Sequence, residues 1–370
     1  MMPKRRKLRV GDWVEVRSKE EVLRTLDQDG RLDGMPFMPE MLEFCGKRFR
    51  VFKRAHKTCD PDFRSRRIEN AVHLETRCDG RAHGGCQAGC LLYWKEAWLT
   101  RIRADAPAET GPDPKPEAEL IHLASAAGCT ESVVRDRVQA RDVDAGGFSY
   151  VCQITQVQYH APLPWWDLRQ YIEDYTSGNI SLRRLLSGTI YTMYYHLSRV
   201  PGLRSATPWF YNLARPLWRG SAWPRTTGVI PEGQPTPDVT LDLQPGELVR
   251  VKPHQEILQT ITTSNKNRGL WWDAELLPYC GGAFRVLKRV TKIIDEKTGK
   301  MQEMKKASII LDSVVCQSRY TKCRMFCPKN TYAYWREIWL ERVLDPESED
   351  RGSLSAMASQ PKSCPASTER

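Results

Sequence analysis

Short stretches of alternating apolar and polar residues mark both ends of the chain, and the middle carries a helical period instead. Val14 and Val16, and again Val249 and Val251, sit two apart with polar neighbours, the spacing of a half-buried strand. Each pair is followed by apolar residues at i, i+1 and i+4 (Val22, Leu23 and Leu26; Ile257, Leu258 and Ile261), which predicts a turn or two of helix. A second strand is predicted where Phe49 and Val51, or Phe284 and Val286, alternate with basic residues. A third is predicted over 71–74 and 308–312, and a closing strand ends at Trp98-Leu99 or Trp339-Leu340. In the middle, helices are predicted over 117–127, 130–138, 165–176 and 181–200, with one strand over 148–155.

The two ends are also alike residue by residue. At an offset of 235, Gly11-Asp-Trp-Val-Glu-Val16 falls on Gly246-Glu-Leu-Val-Arg-Val251 and Gly34 falls on Gly269. The same offset lays Cys45-Gly-Lys-Arg-Phe-Arg-Val-Phe-Lys-Arg54 on Cys280-Gly-Gly-Ala-Phe-Arg-Val-Leu-Lys-Arg289. After a variable stretch, Cys78, Cys86 and Cys90 match Cys316, Cys323 and Cys327, and Trp94 to Ile102 match Trp335 to Val343. One offset held across so many positions predicts an internal duplication. The expected fold is α+β: two repeated small β-barrel-like modules with Cys clusters, whose strand pattern resembles an SH3-like barrel, separated by a mostly helical insert. The expected boundaries are 1–103 for the first module, 104–118 for a Pro-rich linker and 119–220 for the insert. A second linker follows over 221–245, then the second module over 246–343 and a disordered tail over 344–370.

The chain holds twelve cysteines in 370 residues, too long to need a disulfide framework, and has no apolar run of membrane-spanning length. A reducing, cytoplasmic setting is expected, and the cysteine spacing then points to metal. The first module offers Cys45, Cys78, Cys86 and Cys90, and the second Cys280, Cys316, Cys323 and Cys327. Four thiolates suit a closed tetrahedral zinc site, so two zinc ions are the favoured cofactors. Iron-sulfur clusters, which also take four cysteines, are the alternative. Buried cysteines copied along with the repeat would explain Cys45 and Cys280 equally well. His83 is expected at the surface or behind the ligands, Cys59 to be structural or incidental, and Cys152 to belong to a core strand. Pro36-Phe-Met-Pro-Glu-Met41, Arg77-Cys-Asp-Gly80 with His83-Gly-Gly-Cys-Gln-Ala88, and Tyr150-Val-Cys-Gln153 carry a further likeness. On these motifs most of the chain resembles an uncharacterised bacterial family of basic, duplicated Cys-rich proteins, a resemblance that implies no activity.

Charge adds a candidate partner. Residues 1–103 hold 23 Lys and Arg against 15 Asp and Glu, and 246–343 hold 18 against 10, so the basic excess sits in the two modules. Basic faces of this kind suit an anionic partner: nucleic acid, a polymer or an acidic protein. In the insert, Arg183, Arg184, Tyr194, Arg199 and Trp209 interleave arginines with aromatics. That pattern suits an anionic ring-bearing ligand or a membrane surface, although packing between domains explains it more simply. No nucleotide-binding, nucleophile-elbow or zinc-protease motif occurs, and the thiol and base to test for catalysis are Cys152 and His160. Three functions follow: a tandem-module binding or scaffold protein with structural zinc, an iron-sulfur electron-transfer component serving a partner enzyme, or an accessory enzyme of bacterial biosynthesis.

Overall fold

The alternating stretches pair into two five-stranded antiparallel sheets within a fold of mixed helix and sheet, whose strands curl into a half-barrel. The computed structural model describes residues 6–103, 129–142, 147–218, 222–321 and 325–343. The predicted helix at 117–127, the first linker, the tail, Cys323 and Cys364 lie outside the described residues. The first sheet is built from β1 (Trp13–Val16), β2 (Arg48–Arg54), β3 (Ala71–Arg77), β4 (Leu91–Lys95) and β5 (Leu99–Ile102) in the order β4-β3-β2-β1-β5. The α1 helix (Lys19–Leu23) lies between β1 and β2, and a small hairpin, β6 (Gln139–Asp142) and β7 (Gly147–Tyr150), follows the sheet. The second sheet is built from β8 (Leu248–Val251), β9 (Ala283–Ile294), β10 (Met301–Val315), β11 (Tyr332–Trp335) and β12 (Leu340–Arg342). Its order, β11-β10-β9-β8-β12, is the same.

The offset of 235 reappears in the hydrogen-bond register. Val14 faces Phe49 and Val249 faces Phe284; Val16 faces Leu99 and Val251 faces Leu340. Even the irregularity is matched, since the pairing slips between Val51 and Lys53 in one sheet and between Val286 and Lys288 in the other. Such a slip bends the strand and sharpens its twist. Behind each sheet the same buried indole is held in the same way. The Trp98 ring meets Phe37 edge-on at 5.1 Å and donates its N–H to Thr25 at 3.0 Å; Trp339 meets Trp272 at 5.2 Å and donates to Thr260 at 2.9 Å. A buried indole without a hydrogen-bond acceptor would be costly, which ties the threonine to the tryptophan in both halves. The ion pairs Arg54–Glu96 (2.5 Å) and Arg289–Glu337 (2.6 Å) match as well. The single closing strand expected from sequence is divided in both halves by one 3-10 turn, Glu96–Trp98 or Glu337–Trp339, which drops the indole into the core.

The middle of the chain does not stand apart. Residues 129–160 add to the first half: Val134 and Ile154 belong to its core, and the α2 helix (Glu131–Asp136) begins at the Thr130 cap. The strand expected over 148–155 stops at Tyr150. Cys152 instead caps the short α3 helix (Gln153–Gln156), because the Thr155 hydroxyl accepts the Cys152 N–H at 3.0 Å. The Gln153 amide then pairs with both backbone groups of Tyr93, at 2.8 and 2.9 Å, as an added strand would. Helices α4 (Arg169–Thr176), α5 (Leu182–Leu197) and α6 (Ala206–Ala214) form a third cluster, with Tyr191, Tyr195 and Tyr211 buried beside Tyr320 and Phe326 of the second half. Residues 222–245, expected as a linker, run against that half with Trp223 and Leu243 buried.

Helix α4 is fixed to the first half by charge. Buried Lys57 donates to buried Asp174 at 2.6 Å, and Arg54 donates to Glu173 at 2.9 Å. Removing one member of a buried pair strands the other charge. Lys57→Met is therefore expected to lower unfolding free energy by about 3–5 kcal/mol, and Lys57→Met with Asp174→Leu to recover most of it. Urea titration of the two variants decides this, and a single-variant loss below about 1 kcal/mol would refute it.

A second prediction concerns pH. Burial brings the His73 imidazole down to about 3, against a backbone hydrogen bond to Leu92 that works the other way. The folded chain thus refuses a proton that the unfolded chain takes below about pH 6.5, so this stability is full above that pH and is lost as pH falls. Asp174, whose carboxyl burial pushes up to about 6, acts in the opposite sense, so the His73 contribution must be isolated by substitution. The urea midpoint is expected to fall less in His73→Gln than in the parent on going from neutral pH to about pH 5.

Candidate functional site

Each half carries a cysteine-bearing loop clamped by a glutamate at the same repeat position. In the first, the Cys78 N–H donates to the Cys90 carbonyl at 2.9 Å and closes the loop at its neck. Gly80 turns it: with φ +73 its carbonyl accepts N–H groups from His83 and Gly85. A Cβ at Gly80 would lie 2.0 Å from the Cys86 carbonyl oxygen, so no other residue fits. His83 is buried rather than at the surface; its ring meets the Glu40 carboxylate at 2.7 Å and the Val151 carbonyl at 3.2 Å. In the second half the matching Glu275 accepts backbone N–H groups from Arg319 and Tyr320, at 2.9 and 2.7 Å. Both glutamates have the same work, holding the chain that follows the first loop cysteine.

The two loops face one space. Between the halves lies a cavity of about 420 Å³ lined by Cys59, Cys86, Cys90 and Cys152 from the first half and by Cys316 and Cys327 from the second. Cys78 opens onto a hollow of about 30 Å³ that shares Cys86, Cys90 and Cys152 with the larger chamber. Buried Lys329 crosses the wall, donating to Glu296 at 2.7 Å and to the Cys59 carbonyl at 3.5 Å. The junction is pinned by Gln87: its N–H donates to the Lys292 carbonyl at 3.1 Å, its side-chain oxygen accepts from Thr291 at 2.7 Å, and the Ile294 N–H points at the Cys86 sulfur at 3.4 Å.

The thiols are not equivalent. Burial pushes Cys152 up to about 11 and raises Cys78 and Cys90 well above the ordinary range. Cys59 and Cys327 share a hydrogen bond. The neighbouring Cys327 sulfur and burial raise Cys59; at Cys327 burial is outweighed by the Cys59 S–H and by the N–H and charge of Lys329, leaving it at about 7. Thiols kept protonated by apolar surroundings are inert until a metal ion displaces their protons.

The expected four-cysteine sets are only partly brought together. Cys45 and Cys280 end their 3-10 turns with matching backbone angles, pack against the cores, and are pushed up by burial to about 11 and about 12. Neither lines the chamber. Four thiolates on zinc bonds of about 2.3 Å sit about 3.8 Å from one another. Among the described residues, Glu40, Cys78 and His83 are the one group of three His, Cys, Asp or Glu residues whose ligand atoms all lie within 4.8 Å; no three cysteines meet that limit. Cys59 and Cys152, which have no partner in the repeat, line the chamber, and no local sequence signal marks them for it.

Of the five insert residues expected to meet a ligand, Arg184 lines a small hollow. The Arg184 guanidinium bonds the Gln317 carbonyl, and the hollow it shares with Tyr191 and Tyr320 has only about 20 Å³, room for a water. Tyr194 packs edge-on against Tyr211, Arg199 stacks on Tyr195, Trp209 projects outward beside Phe210, and Arg183 lies on the exposed face of α5. Cys152 is hydrogen-bonded at Thr155, and the charged neighbours of His160 are Lys95 and Asp33. Comparison with known proteins gives no match: not to any family model, to any curated protein or to any solved structure.

Gly80→Ala tests the loop. It is expected to speed alkylation of Cys78, Cys86 and Cys90 by iodoacetamide, read by mass spectrometry. Gly46→Ala, with similar φ but nothing within 4 Å of its Cβ, is expected to cost only the backbone strain of about 1–2 kcal/mol and to leave those thiols protected.

Proposed function

We propose that the chain is a metal-thiolate protein whose two halves share one binding chamber, and that the chamber takes an iron-sulfur cluster rather than two separate structural zinc ions. The convergence of six cysteines, four from one half and two from the other, on one cavity carries this reading. That no three cysteines among the described residues bring their sulfurs within 4.8 Å of one another supports a polynuclear occupant, because a cluster holds its thiolates farther apart than a single zinc ion does. The matched strand order, register slip and indole hydrogen bonds support two copies of one small SH3-like module, docked so that their cysteine loops oppose each other. In this role the protein is an electron-transfer or cluster-dependent component of a reducing, cytoplasmic compartment, and the basic excess of each half supports an anionic partner. The Glu40, Cys78 and His83 group is read as the clamp of the first loop, since Glu275 does the same work on backbone amides alone.

The test is metal analysis and visible absorption of protein purified under nitrogen. Iron with acid-labile sulfide is expected, and Cys86→Ser or Cys327→Ser is expected to remove all of it although the two cysteines lie in different halves. Cys45→Ser and Cys280→Ser should retain it. If each loop variant kept about half of the metal, the sites would be separate, and a protein without metal would end the proposal.

A further inference from the structure

Helices α4, α5 and α6 bury one side and leave the other to solvent, and the side left out is apolar. On α4, Gln170 and Asp174 face inward while Leu168 and Ile172, four residues apart, are 69% and 62% exposed. On α5, Gly188, Tyr191 and Tyr195 face inward while Leu182, Leu186, Met193 and Leu197 form an exposed stripe at helical spacing. On α6, Thr207 and Tyr211 are buried, whereas Trp209 and Leu213 are 61% and 64% exposed. Three neighbouring helices with outward apolar faces exceed the scattered leucines of an ordinary surface.

Charge tells what such a face meets. From residue 175 to residue 231 the sequence contains no Asp or Glu and no Lys, but seven arginines. Of these, Arg199, Arg204 and Arg215 are exposed beside the apolar stripe. The acids of α4 are engaged elsewhere, Glu173 with Arg54 and Asp174 with Lys57. No helix among the described residues is long and apolar enough to cross a membrane. Arginine-flanked Trp, Phe and Leu on short amphipathic helices that cannot span describe a segment lying in the plane of a bilayer surface. We infer that α4, α5 and α6 dock the protein on an anionic lipid surface, the apolar stripe entering the headgroup boundary and the arginines meeting lipid phosphates.

Flotation of the full chain with vesicles tests this. Binding is expected to vesicles of equal parts phosphatidylcholine and phosphatidylglycerol, to weaken with salt, and to be slight with phosphatidylcholine alone. Each arginine near the surface is worth about fivefold in partitioning, so Arg204→Gln with Arg215→Gln is expected to bind about 25-fold more weakly. Leu186→Glu with Met193→Glu should abolish binding while leaving the urea midpoint and metal content unchanged, because all four positions are exposed. Absence of binding to the anionic vesicles, or equal binding to both kinds, would overturn the inference. So would a light-scattering mass of two chains that Leu186→Glu reduces to one, since the face would then be covered by a second copy.

Discussion

The Gln87 side-chain oxygen accepts the backbone N–H of Thr291 while the Gln87 backbone N–H donates to the Lys292 carbonyl, so a loop of the first half is sewn to a strand of the second. Lys329 reaching the Cys59 carbonyl and Arg77 reaching the Asn330 carbonyl close the same seam. The two sheets have separate cores. It is the length of β9 and β10, 12 and 15 residues against 7 and 7 for β2 and β3, that carries the second half's hairpin over to the cysteine loop of the first. Cys86, one residue before Gln87, receives the N–H of Ile294 through its sulfur, which places a thiol at the seam itself.

The two halves keep in common what folds them and differ in what faces the seam. The buried indoles with their threonine acceptors, the Arg–Glu pairs and the strand slip are shared. Cys45 and Cys280 belong to this shared set, ending matching 3-10 turns and packing against the cores. Cys59, Cys152, Lys329 and Glu296 are particular to one half and lie at the chamber. The two sheets thus share a frame, and the residues particular to one half supply the asymmetry of the space between them.

Much of the frame was legible in the residue pattern. The strands, the small helices after β1 and β8, and the correspondence of the loops all follow from period-two alternation and one constant offset. The division of each closing strand by a 3-10 turn was not, because Glu96-Ala-Trp98 reads as a strand until the buried indole dictates its direction. Cys152 was read as a strand residue because apolar alternation continues past Tyr150, and it is the Thr155 hydroxyl that stops the strand. The chamber was out of reach for a different reason. Spacing along the chain describes contacts within a module, whereas docking of the halves rests on residues such as Gln87 and Lys292, 205 positions apart, whose pairing leaves no local signal.

One shared chamber in place of two sites can be seen by anomalous X-ray scattering from crystals of the protein isolated anaerobically. A single concentrated anomalous density at the iron edge, within reach of cysteines from both halves, is expected. Two separate densities, one beside Cys45 and one beside Cys280, or none between the halves, would contradict it.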